Sequence, residues 1–409
     1  MNALTGANEV WPAVGAEDRT WVWTPQHYRP TNRRDRLFKD YESAVPAQIG
    51  GLAARLGPDA ADAVAHATAR IAVLDSSATF DITALGGLLV RSESVASSKI
   101  ERLNVSQRDL ARALIGAARP RSIAARVAGN VRALQRAIAL ADGSEVSAAT
   151  FCDIHAELMR ADEHNADAGV PRTDQNWIGG SDSTPRDARF VPPRPELVPE
   201  LLEDLAVFLR RSDMNAVVQA AVTHAQFETI HPFGDGNGRT GRALVHLALR
   251  RRGLATRTVV PVSTVLLADT EGYFEGLNAY RRGDLDAWVV LFAYAAATAA
   301  DAGVNLATEL REIHDEWRRT VRPRAGSAVA HLLDAVVRQP VVDIATVGGL
   351  LPDVDAATRH RAIARLRDAG VLSSITDGKR NQVWAASAVL DLLEEFERDL
   401  GRRTPPARS

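Results

Sequence analysis

The segment HAQFETIHPFGDGNGRTGR, residues 224–242, decides how the rest of the chain is read. Its first half is an amphipathic helix that ends near Ile230, because Pro232 biases the residue before it out of the helical region. A loop follows with Gly234, Gly236 and Gly238, positions where backbone can turn sharply and approach a ligand. A second helix then runs from Arg239 to Arg252. Its first turn offers unpaired N–H groups and the positive end of the helix dipole, a ready anion site. Arg239 and Arg242, three apart on one face, can grip a polyphosphate from the same side. Asp235 can hold a divalent cation bridging phosphates, and His231 at the rim titrates near neutrality and can take a proton. One loop gathers the parts for phosphoryl or nucleotidyl transfer. The bland alternative is a Gly-rich loop with surface arginines. A second alternative is a metal-hydrolase cluster of His224, Glu228 and His231, which leaves Asn237, Arg239 and Arg242 without a role.

Composition bounds the answer further. The chain has 409 residues, 46% hydrophobic and 24% charged, proportions that exclude a largely disordered chain and favour two or three domains. The 49 Lys+Arg nearly balance 51 Asp+Glu, so no nucleic-acid or anionic-membrane partner is demanded for the molecule as a whole, although a local basic face stays open. The single cysteine, Cys152, reads as a small apolar residue and excludes an internal disulfide framework and a Cys-based zinc site. A cytoplasmic location is expected. Glu9, Glu17 and Asp18 interrupt the first thirty residues, so no signal peptide is expected there. No run of about 18 uncharged apolar residues suggests a membrane helix, and no membrane partner is expected.

Outward from the loop, the pattern is mostly short-linked helices. Residues 1–35 read as an irregular arm whose Trp11, Trp21 and Trp23 tack it to a domain surface. From Tyr41 the pattern turns helical, with Ile49, Leu52 and Leu56 at helical spacing. Further helices are expected at 60–74, about 85–103, 106–114, 122–141, 147–160, 200–211, 216–229, 241–252 and 287–319, with Ser106, Ser122 and Ser147 as caps. The Gly/Pro/Asp-rich stretch 169–199 reads as a loop holding two short strands, 175–178 and 188–191. Residues 327–395 read as three helices and a hairpin turning at Asp377-Gly378, which is winged-helix order.

The segment from His231 to Arg242 matches the HPFx(D/E)GNGRxxR signature of the Fic (Fido) family, and the chain is identified as a member on that motif. The resemblance implies a mainly α-helical fold: a Fic core with a small β-hairpin flap, plus a C-terminal winged helix-turn-helix domain. It implies transfer of AMP from ATP, with Mg2+, to a hydroxyl side chain of a protein substrate. His231 would be the general base and Asp235 the Mg2+ ligand. The Gly236-Asn237-Gly238 backbone and the Asn237 side chain would cradle phosphate. Arg239, Thr240, Gly241 and Arg242 would complete the nucleotide site, and Phe233 would be a buried anchor. Residues 172–193 resemble the family's flap, with Asn176, Trp177, Ile178 and Gly179 at the nucleotide side. Tyr273 and Phe274 resemble the wall beside the base. His155 and His246 read as structural.

Ser97 and Glu101 resemble the family's inhibitory helix, placed N-terminal to the core as in class II members. A carboxylate against Arg242 would take the place the γ-phosphate needs. Arg102 stands where the family has Gly or Asn, residues suited to a positive-φ helix end. The expected organisation is an arm at 1–35, an N-terminal helical region at 36–145, the Fic core at 146–300, a helix and linker at 301–326, a winged-helix domain at 327–395 and a flexible tail at 396–409. Arg359, Arg361, Arg365 and Arg367, with Lys379 and Arg380, offer DNA as a partner, and a homodimer is also conceivable. The expected activity is adenylylation restrained by Glu101, with removal of AMP as a second activity. The rival reading is a winged-helix DNA-binding regulator whose Fic core is a nucleotide sensor or relic.

Overall fold

The computed structural model of the protein describes residues 10–23, 32–77, 82–119, 122–143, 145–160, 167–376 and 382–402. The N-terminal part contains β1 (Gly15–Thr20), α1 (Arg33–Arg36), β2 (Asp40–Val45), α2 (Pro58–Ser76), α3 (Ile82–Ile100), α4 (Gln107–Leu114) and α5 (Ile123–Ala141). The middle of the chain supplies α6 (Ala148–Met159), α7 (Val198–Arg210), α8 (Ala216–Ile230), α9 (Asn237–Arg251), α10 (Val262–Ala268), α11 (Thr270–Arg281) and α12 (Leu285–Val321). A C-terminal unit follows: α13 (Ala328–Arg338), β3 (Val341–Asp343), α14 (Ile344–Leu350), α15 (Ala356–Asp368), β4 (Ser373–Ser374), β5 (Val383–Ala385) and α16 (Ser387–Leu400). The fold is mainly α, as the sequence implies.

Helices α8 and α9 form the centre. Every residue of α8 from Val217 to Ile230 is buried, and so is α9 from Asn237 to Leu249. A helix buried all round must satisfy its polar side chains internally. Gln219 Nε2 donates to the carbonyls of Phe208 (2.9 Å) and Arg211 (3.0 Å). Gln226 Nε2 donates to Ala47 O at 3.0 Å while its Oε1 accepts from the Tyr280 hydroxyl at 2.8 Å. Around this pair lie α3, α5, α6 and α7, with α2 and the long α12 packed together alongside. The helix starts are local in origin: Ser106 Oγ accepts from Asp109 N (3.1 Å) and Ser122 Oγ from Ala125 N (3.2 Å).

Several expectations need correction. The arm is not irregular throughout: β1 pairs antiparallel with β2, Gly15 opposite Val45 and Thr20 opposite Asp40. The tryptophans do anchor it. Trp11 stacks near Tyr280 (centroids 6.0 Å apart), and Trp21 meets Trp177 edge-on at 5.5 Å. Residues 46–56 are not helical. Pro46 and the Gly50-Gly51 pair weaken a helix there, and the Ile49 and Gly50 N–H groups are captured by the Asp204 carboxylate (2.5 and 3.0 Å). The two flap strands reduce to one bridge, Ile178 opposite Phe190, because Gly179, Gly180 and Pro192 surround it. Helices α10 and α11 fill a stretch where no helix was expected. Helix α12 runs unbroken through residue 300, and α16 occupies residues expected to be tail as far as Leu400. The Asp377-Gly378 turn lies outside the described residues. Helix α12 is long and apolar enough to cross a membrane by length and composition, but Asp286 and Asp301 bound its uncharged stretch and 61% of its most apolar 18-residue window is buried within the fold.

The N-terminal hairpin and the flap are joined by one buried carboxylate. Asp35 accepts from Ser181 Oγ (2.7 Å), Thr184 Oγ1 (3.1 Å) and Arg186 Nε (2.6 Å), and the Arg186 contact above all holds its carboxyl well below the usual range. Asp35→Ala is therefore expected to destabilise this corner by about 2 kcal/mol, read as faster amide hydrogen exchange in residues 15–45. Since the folded pKa is depressed, the native contact stabilises fully above the ordinary Asp range near ~4 and weakens only as pH falls below it.

Candidate functional site

The loop between α8 and α9 is built around a strained residue. His231 has φ 49° and ψ 60°, a left-handed conformation that costs a β-carbon residue about 1–2 kcal/mol. Surrounding bonds hold it there: His231 N donates to Phe227 O (2.9 Å), and His231 O accepts from Arg172 Nε (2.9 Å) and Asn176 Nδ2 (3.3 Å). Arg172 N also donates to Pro232 O at 2.8 Å, and Asn176 Nδ2 to Phe233 O at 3.1 Å. Phe233 is wholly buried, stacked on His155 with 3.7 Å between ring centres. His155 Nδ1 accepts from Gly169 N (2.9 Å), which leaves Nε2–H to donate to Asp235 O (3.0 Å). Burial lowers the His155 pKa to about 4, so the ring stays neutral and keeps that tautomer. The Asn237 side chain closes the loop on itself: Oδ1 accepts from Phe233 N (2.8 Å) and Nδ2 donates to Phe233 O (2.7 Å).

Helix α9 then starts at Gly236, φ 79°, a position glycine suits. Its first-turn N–H groups have no intrahelical acceptors. Arg239 is buried, with Nη2 3.4 Å from Asp235 Oδ2 and with no partner for Nε among the described residues. Asp235 is more than half exposed, and Arg126 lies 3.7 Å from the same oxygen. His231 is neutral at physiological pH: burial, then Arg172 and Arg281, lower its pKa to about 3. Its Nδ1 is 3.8 Å from Glu228 Oε2, a carboxyl that burial pushes up to about 7.

Arg242 is buried and satisfied from α3. Nε donates to Ser97 Oγ (2.8 Å), and Nη2 donates to Ser97 O (2.8 Å) and Glu101 Oε1 (2.9 Å). Burial alone would depress this guanidinium, but Tyr273, Glu101 and Glu228 carry its pKa above the ordinary value. A β-carbon on Gly238 would collide with Glu101 Oε1, so the carboxylate lies directly on the first turn of α9. One turn further along, Glu93 of α3 meets His246 of α9 at 3.3 Å and accepts from Ser263 N at 2.8 Å. Residues 93, 97 and 101 thus face 246, 242 and 238, an antiparallel seam with one contact per turn.

Helix α3 ends as the family-like position requires, although with arginine. Arg102 has φ 62°; Arg102 N donates to Lys99 O and Leu103 N to Ser98 O, both at 2.9 Å. This paired closure is the Schellman pattern, with arginine in the left-handed slot.

The structure reassigns other expected residues. The Asn176 and Asn237 side chains, expected at the nucleotide, bond the loop backbone. Trp177 Nε1 donates to Ser181 O (2.6 Å), and its ring packs on Trp21. Ile178 makes the flap bridge, and Gly179 supplies a positive φ. Thr240 is wholly buried, and Gly241 lets α9 approach α8, its β-position lying 3.1 Å from Phe227 and His224 atoms. Tyr273 is buried with its hydroxyl 2.8 Å from His224 Nε2 and 3.5 Å from Arg242 Nη1, while Phe274 is half exposed. That bond takes His224 out of the metal-cluster alternative, and among the described residues no group of three or more His, Cys, Asp or Glu could hold a metal ion. Of the C-terminal arginines, Arg359 caps Leu351 O and Pro352 O (3.1 Å each) and Arg365 caps Val321 O (3.1 Å). Arg361 and Arg367 are exposed; Lys379 and Arg380 lie outside the described residues. The sequence reading gave no role to Arg172 or Arg281 and no function to His155. Arg172 lay within the flap motif, but nothing local signals that it reaches across to the loop carbonyls.

Comparisons with known proteins meet this geometry. The Fic/DOC family model matches residues 145–249. Protein adenylyltransferase fic-1 of Caenorhabditis elegans is 30% identical over 148 residues, 36% of this chain and 26% of that protein. Probable protein adenylyltransferase aq_aa38 of Aquifex aeolicus is 32% identical over 171 residues, 41% of this chain and 49% of that protein. The chain therefore matches half or less of these relatives' lengths. The crystal structure of a Fic family protein from Desulfovibrio desulfuricans superposes with TM-score 0.52 and 21% identity over 81% of this chain and 97% of that one, which speaks for the fold. With the signature loop built into that fold at residues 231–242, the chain carries a Fic/DOC domain at residues 145–249.

Proposed function

We propose that the protein is a protein adenylyltransferase that transfers AMP from ATP to a Ser, Thr or Tyr hydroxyl and is restrained by Glu101. The observation that carries the reading is a neutral His231 on the loop that opens α9, with Arg239 and Arg242 buried on that helix and Glu101 bonded to Arg242 over its first turn. Adenylyltransferase relatives at about 30% identity support the same chemistry. In the step proposed, the target hydroxyl oxygen bonds to the α-phosphorus. The bond from that phosphorus to the oxygen bridging to the β-phosphate breaks, pyrophosphate leaves, and the hydroxyl proton passes to His231. The triphosphate's negative charge acts on His231 against Arg172 and Arg281, raising its basicity when nucleotide is bound.

Mg2+ fits the residues present. Asp235 is a solvent-facing carboxylate beside the first turn of α9, and Mg2+ is commonly held by one or two carboxylates together with substrate phosphates and water. Asp235 would hold the ion, which would neutralise phosphate charge. Arg239 and the α9 N–H groups orient the nucleotide. Arg242 is pre-charged for its outer phosphate once Glu101 withdraws.

Restraint by Glu101 follows from competition for one place: its carboxylate occupies both the Arg242 Nη2 donor and the space above Gly238. With AMP already on a target hydroxyl, the same pocket supports removal of AMP by water as a second activity: the water oxygen bonds to the phosphorus, the bond from phosphorus to the target oxygen breaks, AMP leaves, and a proton from water restores the hydroxyl.

Three outcomes test this. Incubation of the Glu101→Gly chain with Mg2+ and α-labelled ATP is expected to raise self-adenylylation on the order of tenfold, with mass spectrometry identifying the adduct; a phosphate adduct instead would overturn the transferred group. His231→Ala should cut transfer by about 100-fold or more while calorimetric ATP affinity holds. Arg102→Gly relieves about 1 kcal/mol of left-handed strain, tightens the blocking turn and is expected to slow transfer by about fivefold; acceleration would contradict the assigned cap.

A further inference from the structure

We infer that the C-terminal unit is the input of the switch, and that Glu397 on α16 is the positioning residue that keeps Glu101 seated. The inference rests on the reading that Glu101 restrains the site. The blocking carboxylate sits on a short connection between Ile100, the last residue of α3, and Gln107, the first of α4. Both ends are tied to one side chain. Lys99 Nζ donates to Glu397 Oε2 at 2.9 Å, and Gln107 Nε2 donates to Glu397 Oε1. Lys99 stands two residues before Glu101, so the same helical turn faces Arg242 with one side chain and α16 with another.

The bracket is buried. Glu397 is only 10% exposed, and Gln107 1%. Lys99 is 27% exposed, so breaking the bracket strands chiefly the Glu397 carboxylate and the Gln107 amide in a poorly solvated place. Outside the bracket, Arg108 pairs with Asp391 at 2.9 Å, and Ala111 of α4 packs with Val341, Val383, Ala385 and Leu390 of the C-terminal unit. Helix α4 is thereby glued to the β3–β5–β4 sheet and α16. Helix α3 also touches α13 and α16. The connection bearing Glu101 cannot lift from Arg242 while α16 holds both of its flanks. Any event that shifts the C-terminal unit loosens Glu101, and by linkage nucleotide seating that evicts Glu101 loosens α16.

The test uses the full chain with Mg2+ and α-labelled ATP, scoring self-adenylylation and ATP affinity in Glu397→Ala, Lys99→Met and Lys99→Arg, each alone and combined with Glu101→Gly. Glu397→Ala and Lys99→Met are expected to raise the rate roughly five- to tenfold in the otherwise native chain, Lys99→Arg to leave it low, and none to add to Glu101→Gly. Circular dichroism checks that each variant is folded, and the Lys99 pair carries the test should Glu397→Ala fail to fold. Native-like rates in Glu397→Ala and Lys99→Met, with Glu101→Gly accelerated, overturn the bracket alone. An increase that persists in the Glu101→Gly background overturns action through Glu101. An inert Glu101→Gly removes the restraint reading and the inference with it.

Discussion

A guanidinium taken out of water must have its charge and its N–H groups met by protein, and Arg242 imposes that demand at the centre of the molecule. Ser97 and Glu101 meet it from α3, with the Tyr273 hydroxyl alongside. Meeting it sets the antiparallel register of α3 on α9, which Glu93 and His246 extend one turn on. The same contact that stabilises the buried cation places a carboxylate where an anionic ligand would sit. Under the proposed function, stability of the resting protein and binding of nucleotide phosphate are thus opposing uses of one group.

The loop from His231 to Gly236 is the complementary device. A left-handed histidine persists because Arg172 and Asn176 from the flap, His155 from α6 and Asn237 at the start of α9 fix the loop carbonyls. A site held this way keeps its N–H dipoles aimed before any ligand arrives, so little reorganisation is needed when charge develops. Rigidity extends outward: Asp35 fastens the flap to the N-terminal hairpin, and Arg281 lies 3.7 Å from the Phe190 ring.

Much of the architecture was legible locally. Helix boundaries at α4, α5 and α8 follow from Ser106, Ser122 and Pro232, and the signature loop located the site because its glycines, acid, base and arginines are contiguous. Local signals failed where a distant partner decides. Ile49, Leu52 and Leu56 have helical spacing, yet Asp204 takes the backbone N–H groups nearby. Asn176, Trp177 and Tyr273 lie in recognisable segments, but Asn176 Nδ2 is engaged by loop carbonyls, Trp177 Nε1 by Ser181 O and the Tyr273 hydroxyl by His224. Arg359 and Arg365 look like part of a basic recognition helix and instead close the ends of α14 and α12.

The sequence by itself determined the helical class and the place of the loop-to-helix turn with the histidine, acid and arginines it gathers, since these depend on residues within a dozen positions of each other and on backbone rules that act at short range. Tertiary structure alone decided that Arg102 takes a left-handed conformation, that Glu101 lies on Gly238, and that Lys99 and Gln107 share Glu397. Those outcomes are set by which buried polar groups must find partners, and such partners can stand nearly three hundred positions away in the chain.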